Sequence, residues 1–345
     1  MQYGLALGGG GARGAFEVGV WRALCEMDKD ICAIAGTSVG AINGAAFLSG
    51  ADAERLWMTL RAEDIHFRDH GEDILSPSAL AASFEDILNG GLDASPLRAL
   101  ISSAVSEEAV RSSGTGFGLC TFSVTEKKLT ELFAEDIPHG RLIDYIMASA
   151  CFPLFRPVNI DGELYTDGGI QNNIPEDMLI RRGIRDIISV SARGIGVVKE
   201  CGCCGANIIR IRNSEPEPGL MDFAPDKLKR LIEHGYYECR KGFGLYGGEI
   251  YYVNKESYDA AVGKYGRELV SGIERAARLV GIEKNREYSF SELVKGVLLR
   301  YEQDKELKKS IGRIEKNKNS VFRKKLYIVF KNQEIANAVA YFRGI

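Results

Sequence analysis

Short apolar runs alternate along this chain with stretches whose apolar positions recur every third or fourth residue. Tyr3-Gly4-Leu5-Ala6-Leu7 and Ile31-Cys32-Ala33-Ile34-Ala35 have strand length and no polar face, the pattern of strands buried on both sides. After the first, Phe16, Val20, Ala23, Leu24 and Met27 share one helical face. After the second, a helix of small residues is expected over 41–49. Further strands are predicted over 116–124 and 128–133, joined near Glu126-Lys127, and over 162–166, 186–190 and 207–211. Helices are predicted over 141–150 and, with Pro175 in its first turn, over 175–182. Strand and helix in alternation predict an α/β fold with a mostly parallel sheet covered by helices.

Two regions break the alternation. Residues 52–111 hold two helical stretches, 52–61 and 95–105, around loops with Pro77 and Gly90-Gly91. They suit a lid over a site and suit packing on the sheet face equally well. Beyond Ser214-Glu215-Pro216-Glu217-Pro218-Gly219 the pattern becomes mainly helical, over 225–243, 257–281 and 289–304. The expected division is a domain over 1–212 and a mainly helical C-terminal region over 213–345.

Composition narrows the class. The chain has 345 residues, 45% hydrophobic and 26% charged, with a net charge of -3, which argues against nucleic acid as a partner. No basic leader precedes the first strand. The eight cysteines follow no disulfide framework, so reduced thiols and a cytoplasmic setting are expected. The 21 residues from Ile31 to Ala51 carry no charge, but their glycines, alanines and hydroxyl residues fit a buried strand-turn-helix better than a membrane span. Cys201, Cys203 and Cys204 lack a second cysteine pair at zinc-finger spacing and read as a reduced glycine-rich loop; no metal and no cofactor is expected. Residues 305–331 carry ten Lys/Arg against Glu306 and Glu315. That run is solvated surface or a peripheral contact with an anionic membrane.

The candidate chemistry lies in three glycine-bearing turns. Gly36-Thr37-Ser38-Val39-Gly40 joins a strand to a helix as a nucleophile elbow does, raising Oγ of Ser38 and freeing the Val39 N–H for an oxyanion. A Gly-Ser-Gly turn between any strand and any helix satisfies the same pattern. Gly8 to Gly14 also satisfies the dinucleotide fingerprint through Gly9, Gly11 and Gly14, yet the next strand ends in the elbow and not in an acid. Asp167-Gly168-Gly169 ends a strand 129 residues after Ser38. A serine hydroxyl needs a base, and none of His66, His70, His139 and His234 lies in a loop just beyond a late strand. Asp167 is better placed.

These segments resemble the patatin-like phospholipases: a glycine-rich loop with a basic residue, a G-x-S-x-G elbow and a D-G-A/G turn, in that order. Ala148 to Pro157 is similar to the family's S-x-A-x-P-x-F-x-P stretch, and Asn172-Asn173-Ile174-Pro175 to its N-x-P continuation. The resemblance covers about residues 3–212. It implies a three-layer α/β/α sandwich and a Ser-Asp dyad without histidine or metal, with Ser38 as nucleophile and Asp167 as base. Gly9, Gly10 and Gly11 then line the oxyanion hole and Arg13 steadies the loop; Gly14, Gly36, Gly40, Gly168 and Gly169 are the motif glycines. The implied substrates are phospholipids, lysophospholipids or neutral glycerides, which would take the protein to a membrane surface. An acyltransferase sharing the acyl-enzyme, and a nucleotide-binding module using the glycine loop, are the alternatives.

Overall fold

The computed structural model describes residues 1–60, 94–152, 155–199, 205–215, 218–305 and 341. Strand β1 (Gln2–Leu7) leads through a 3-10 turn to helix α1 (Ala15–Glu26), and β2 (Asp30–Thr37) leads to α2 (Val39–Leu48). Helix α3 (Ala53–Thr59) starts where the Asp52 side chain accepts the Arg55 N–H at 2.9 Å, a side-chain N-cap. Helices α4 (Ser95–Ala104) and α5 (Glu107–Ser112) precede the hairpin β3 (Gly116–Ser123) and β4 (Lys128–Phe133). Then come α6 (Leu142–Ser149), β5 (Val158–Ile160), β6 (Glu163–Asp167), α7 (Glu176–Arg181), β7 (Asp186–Ser191), β8 (Asn207–Arg212) and α8 (Pro225–Gly242).

The strands form one sheet in the order β5-β6-β3-β2-β1-β7-β8, with β4 beside β3. The run from β3 to β8 is parallel; β4, β5 and β6 join antiparallel. Helices cover both faces. On one, α2, α4, α5 and α6 bury Ala45, Ile101, Val110 and Ile146 against Phe117 and Leu119 of β3. On the other, Met178 and Leu179 of α7 meet Ala6, Ala35 and Ile187. The alternation of Phe117 and Leu119 with Cys120 across β3 is the period-two pattern that assigns each side chain its layer. In the region expected as a lid, the described helices α4 and α5 pack on the sheet face; residues 61–93, with Pro77, His66 and His70, lie outside the described residues.

Two compact units divide the chain, 1–242 and 243–345. The first thus extends past the compositional boundary at 212 and includes α8. The reason is a close helix crossing: a Cβ on Gly19 of α1 would stand 1.8 Å from the Ile232 carbonyl oxygen, and one on Gly235 of α8 would stand 2.0 Å from that of Phe16. Two backbones approach this closely only where neither carries a side chain. Arg22 of α1 lies over the Tyr236 ring at 4.6 Å, and the Tyr236 hydroxyl donates to Glu26 at 2.6 Å.

The described part of the second unit is mainly helical, with a small sheet that the sequence reading did not include. Short strands β9 (Tyr246–Gly247), β10 (Tyr252–Asn254) and β11 (Glu287–Tyr288) form a three-stranded sheet, too short to show an alternating pattern. The single helix expected over 257–281 is two, α9 (Lys255–Tyr265) and α10 (Arg267–Leu279), broken at Gly266, whose φ of 81° lies outside helical range. Helix α11 (Phe290–Gln303) opens with a capping box between Ser289 and Glu292. Val253, Val270, Ile273, Phe290 and Leu293 form this unit's core. Buried Glu274 accepts the N–H groups of Glu249 (2.9 Å), Ile250 (3.2 Å) and Tyr251 (2.9 Å). The basic run is described only at Lys305; 306–331 lies outside the described residues, as do Cys201, Cys203 and Cys204.

Gly235→Ala is expected to overpack the α1–α8 crossing at a cost of about 1–3 kcal/mol. Thermal denaturation should then show a Tm lower by several degrees; an unchanged Tm would mean the helices do not cross there.

Candidate active site

Sheet register brings Ser38 and Asp167 together across the chain. Cys120 of β3 pairs with Thr37 of β2, and the next residue, Thr121, pairs with Asp167 of β6. Strand β3 therefore changes partner at the point where β2 ends in Ser38. The Ser38 hydroxyl lies near enough to the Asp167 carboxyl group to favour its ionised form.

Ser38 sits in strained backbone, φ 57° and ψ -126°, immediately before α2. The flanking glycines are required by contact: a Cβ on Gly36 would stand 2.4 Å from the Gly40 carbonyl, and one on Gly40 would stand 2.4 Å from the Leu7 oxygen. The Ser38 N–H donates to Oγ of buried Ser149 at 2.9 Å, and that hydroxyl donates to the Cys120 carbonyl at 2.6 Å. Thr37 Oγ1 donates to the Asn172 carbonyl at 2.9 Å. Ser149 and Asn172 were visible only as motif letters; their positions give them work.

Asp167 is 6% exposed. Burial pushes its carboxyl up to about 6, opposed by the nearby Ser38 hydroxyl and by the Gly169 N–H, the latter 2.7 Å from Oδ1. Gly168 and Gly169 open the 3-10 turn that follows. Near neutral pH this is an ionised carboxylate with a basicity above that of an ordinary aspartate.

In the glycine loop the expectation is corrected at one position. The Gly9 N–H donates to the Asn173 carbonyl at 3.1 Å, so it is not an oxyanion donor; Gly8 N–H is taken by Val190 at 3.1 Å. Among the described residues, no acceptor within the protein takes the N–H of Gly10, Gly11 or Val39. Arg13 ties the loop to its flanks, Nε donating to the Pro218 carbonyl at 2.7 Å and Nη1 to that of Arg193 at 2.8 Å. Gly14 caps α1. A phosphate cradle is disfavoured here, because the Leu220 carbonyl already accepts the Ala12 N–H at 2.6 Å.

Beneath the loop lies a network that motif spacing did not reveal. Asn43 of α2 donates through Nδ2 to Glu17 (2.8 Å) and to the Gly14 carbonyl (3.0 Å), and its Oδ1 accepts the Trp57 indole N–H at 2.8 Å. Glu17 is fully buried, and burial pushes its carboxyl up to about 8. Its place on the apolar face of α1, three residues before Val20, was the available signal. The two described histidines are elsewhere: His234 contacts Ser214 Oγ at 3.1 Å and lies against Phe16, and His139 is exposed.

Residues 5–180 match the family model described as patatin-like phospholipase. The chain belongs to the patatin-like phospholipase family. Over 189 residues it is 28% identical to patatin-like phospholipase domain-containing protein 7 of Rattus norvegicus, covering 54% of this chain and 13% of that protein. An uncharacterized NTE family protein of Mycobacterium tuberculosis is 32% identical over 194 residues, 55% of this chain and 30% of its own. Lysophospholipase NTE1 of Mycosarcoma maydis is 26% identical over 201 residues, 56% of this chain and 10% of its own. All three relatives are thus matched over less than a third of their length. The patatin-like match holds the end of β1, the glycine loop, the elbow and the Asp167 turn. Among the described residues no helix is long and apolar enough to cross a membrane, and no three His, Cys, Asp or Glu side chains are grouped to hold a metal.

Glu17 makes stability depend on pH. Its folded value of about 8 exceeds its ordinary 4.5, so the folded state holds a proton that the unfolded chain releases between them. The stability that Glu17 contributes is therefore fully present below 4.5 and is lost as pH rises toward 8. Glu17→Gln, uncharged and of the same shape, should remove that fall and raise Tm relative to wild type at the alkaline end. Urea unfolding at several pH values measures it; parallel curves for the two proteins would refute a neutral buried Glu17.

Proposed function

We propose that the protein is a serine lipid acyl hydrolase that cleaves ester bonds of phospholipids or lysophospholipids through Ser38, Asp167 and an acyl-enzyme. The observation that carries this reading is a strained, elbow-borne Ser38 at the end of β2, beside which the sheet register sets the buried Asp167 carboxyl group. Asp167 accepts the hydroxyl proton as Oγ attacks the ester carbonyl carbon, and the tetrahedral oxyanion is met by the N–H groups of Gly10, Gly11 and Val39. Collapse expels the alcohol, which leaves with the proton from Asp167. Water, deprotonated by the same carboxylate, then releases the fatty acid. The lysophospholipase name of the Mycosarcoma maydis relative supports a lysolipid among the substrates. An acceptor alcohol in place of water would make the second step an acyl transfer; product analysis from labelled phospholipid, with and without acceptor, separates the two.

Ser38→Ala and Asp167→Asn should each lower kcat for a p-nitrophenyl ester by at least ~10³-fold, because nucleophile and base act as a unit. Circular dichroism should remain that of wild type. Wild-type turnover by Asp167→Asn would exclude the dyad. Since Asp167 works as the ionised base and its carboxyl sits at about 6, kcat/KM should climb as pH rises through that value and level off above it. A profile flat from pH 5 to 8 would point to another base.

Gly10→Ala places a Cβ 2.8 Å from that of Ala192, turning the loop's donors out of aim. The expected result is a kcat about 10²–10³-fold lower with KM little changed, since the oxyanion contact strengthens in the transition state. A Gly10→Ala enzyme with normal kcat would remove the loop from the mechanism.

A further inference from the structure

Strand β7 leaves the sheet at Ser191, and the following segment turns sharply at Arg193, whose φ is 59°. Its backbone is fixed by the active-site turns. Val197 N–H donates to the Gly169 carbonyl at 3.0 Å, Asn173 N–H donates to the Val197 carbonyl at 2.7 Å, and the Arg193 carbonyl accepts from Arg13. A Cβ on Gly194 would lie 2.0 Å from the Gly9 oxygen. The segment thus runs against both the glycine loop and the turn that carries Asp167.

Its side chains do the opposite of its backbone. Ile195 is 57% exposed, Val197 51%, Val198 49%, and Ile170, next to the paired Gly169, 43%. Scattered exposed aliphatics are ordinary, but these four lie on two segments that the Val197–Gly169 backbone bond joins, beside the glycine loop. Arg193 and Lys199 flank the apolar run, both exposed; Arg193 Nη1 makes one long hydrogen bond, to the Ser214 carbonyl at 3.5 Å, and Lys199 lies within electrostatic reach of Asp177 without a direct contact.

We propose that the 193–199 loop, with Ile170, is a lipid-docking element: Ile195, Val197 and Val198 enter the acyl layer while Arg193 and Lys199 meet headgroup phosphates, bringing an aggregated substrate to Ser38. Apolar side chains between cations match the boundary between hydrocarbon and phosphate, where long basic side chains reach outward and aliphatics inward. A second protein copy is the poorer fit, because a stable protein interface takes roughly 20–30 residues a side. The proposal rests on the hydrolase reading for its purpose but not for its test.

The test uses the full chain carrying Ser38→Ala, sedimented with vesicles of phosphatidylcholine and phosphatidylglycerol. Adding Ile195→Glu and Val198→Glu should lower the bound fraction's partition coefficient at least ~tenfold, since two charges replace two buried aliphatics. Partition unchanged by the pair would overturn the proposal, as would loss of self-association on size exclusion with vesicle binding intact. Ile195→Ser replaces the pair if the double variant does not fold, with a smaller decrease expected. With Ser38 restored, the ratio of vesicle-phospholipid turnover to soluble short-chain ester turnover should fall by a similar factor. A wild type that hydrolyses neither substrate defeats the hydrolase reading, and the sedimentation result still decides the loop.

Discussion

The site depends on holding one serine in a backbone conformation that an L-residue resists. Ser38 has φ 57° and ψ -126°, a state that costs of order 1–3 kcal/mol and persists only where its surroundings over-determine it. Three sets of contacts do so. Gly36 and Gly40 let the turn close on itself and on β1, the Ser149 hydroxyl fixes the Ser38 N–H, and Thr37 is held by the Asn172 carbonyl. Ser149 ends helix α6 and Asn172 follows the turn after β6, so the elbow is a product of several elements that meet at the sheet edge.

Strand order explains why those ends meet. With β3, β2, β1 and β7 adjacent and parallel, the loops after β1, β2 and β7 emerge side by side at the carboxyl edge, where open α/β sheets gather their ligand sites. The antiparallel β6 then enters from the other direction and delivers Asp167 beside Ser38. Little water reaches that carboxylate, which raises its proton affinity, and the Gly169 N–H and Ser38 hydroxyl keep it from rising further.

Below the edge, the Glu17–Asn43–Trp57 chain links α1, α2 and α3, the helices behind the glycine loop and the elbow. Above it, the 193–199 backbone is bonded to the Asp167 turn while its aliphatic side chains face outward. Both arrangements couple a region outside the chemistry to the aim of the same few groups.

Local pattern determined much of this. Most strands and helices of the first unit, the elbow, the Asp-Gly-Gly turn and the loop glycines follow from periodicity and turn chemistry within ten or so residues, whereas the short α5 and β5 do not. Tertiary structure decided the rest. Gly9 looked like a donor until its N–H met Asn173, 164 residues away in sequence, and Ser149 acquired a role by lying 111 residues from Ser38. The change at 212 suggested a boundary, yet Gly19 and Gly235 hold α8 in the first unit through a backbone crossing neither helix announces alone. The short strands of the second unit and the break at Gly266 were hidden for a similar reason: two or three residues cannot establish a period. Apolar spacing states which face is buried, whereas the identity of what covers it, and of the acceptor that takes each N–H, is settled only when distant segments are packed together.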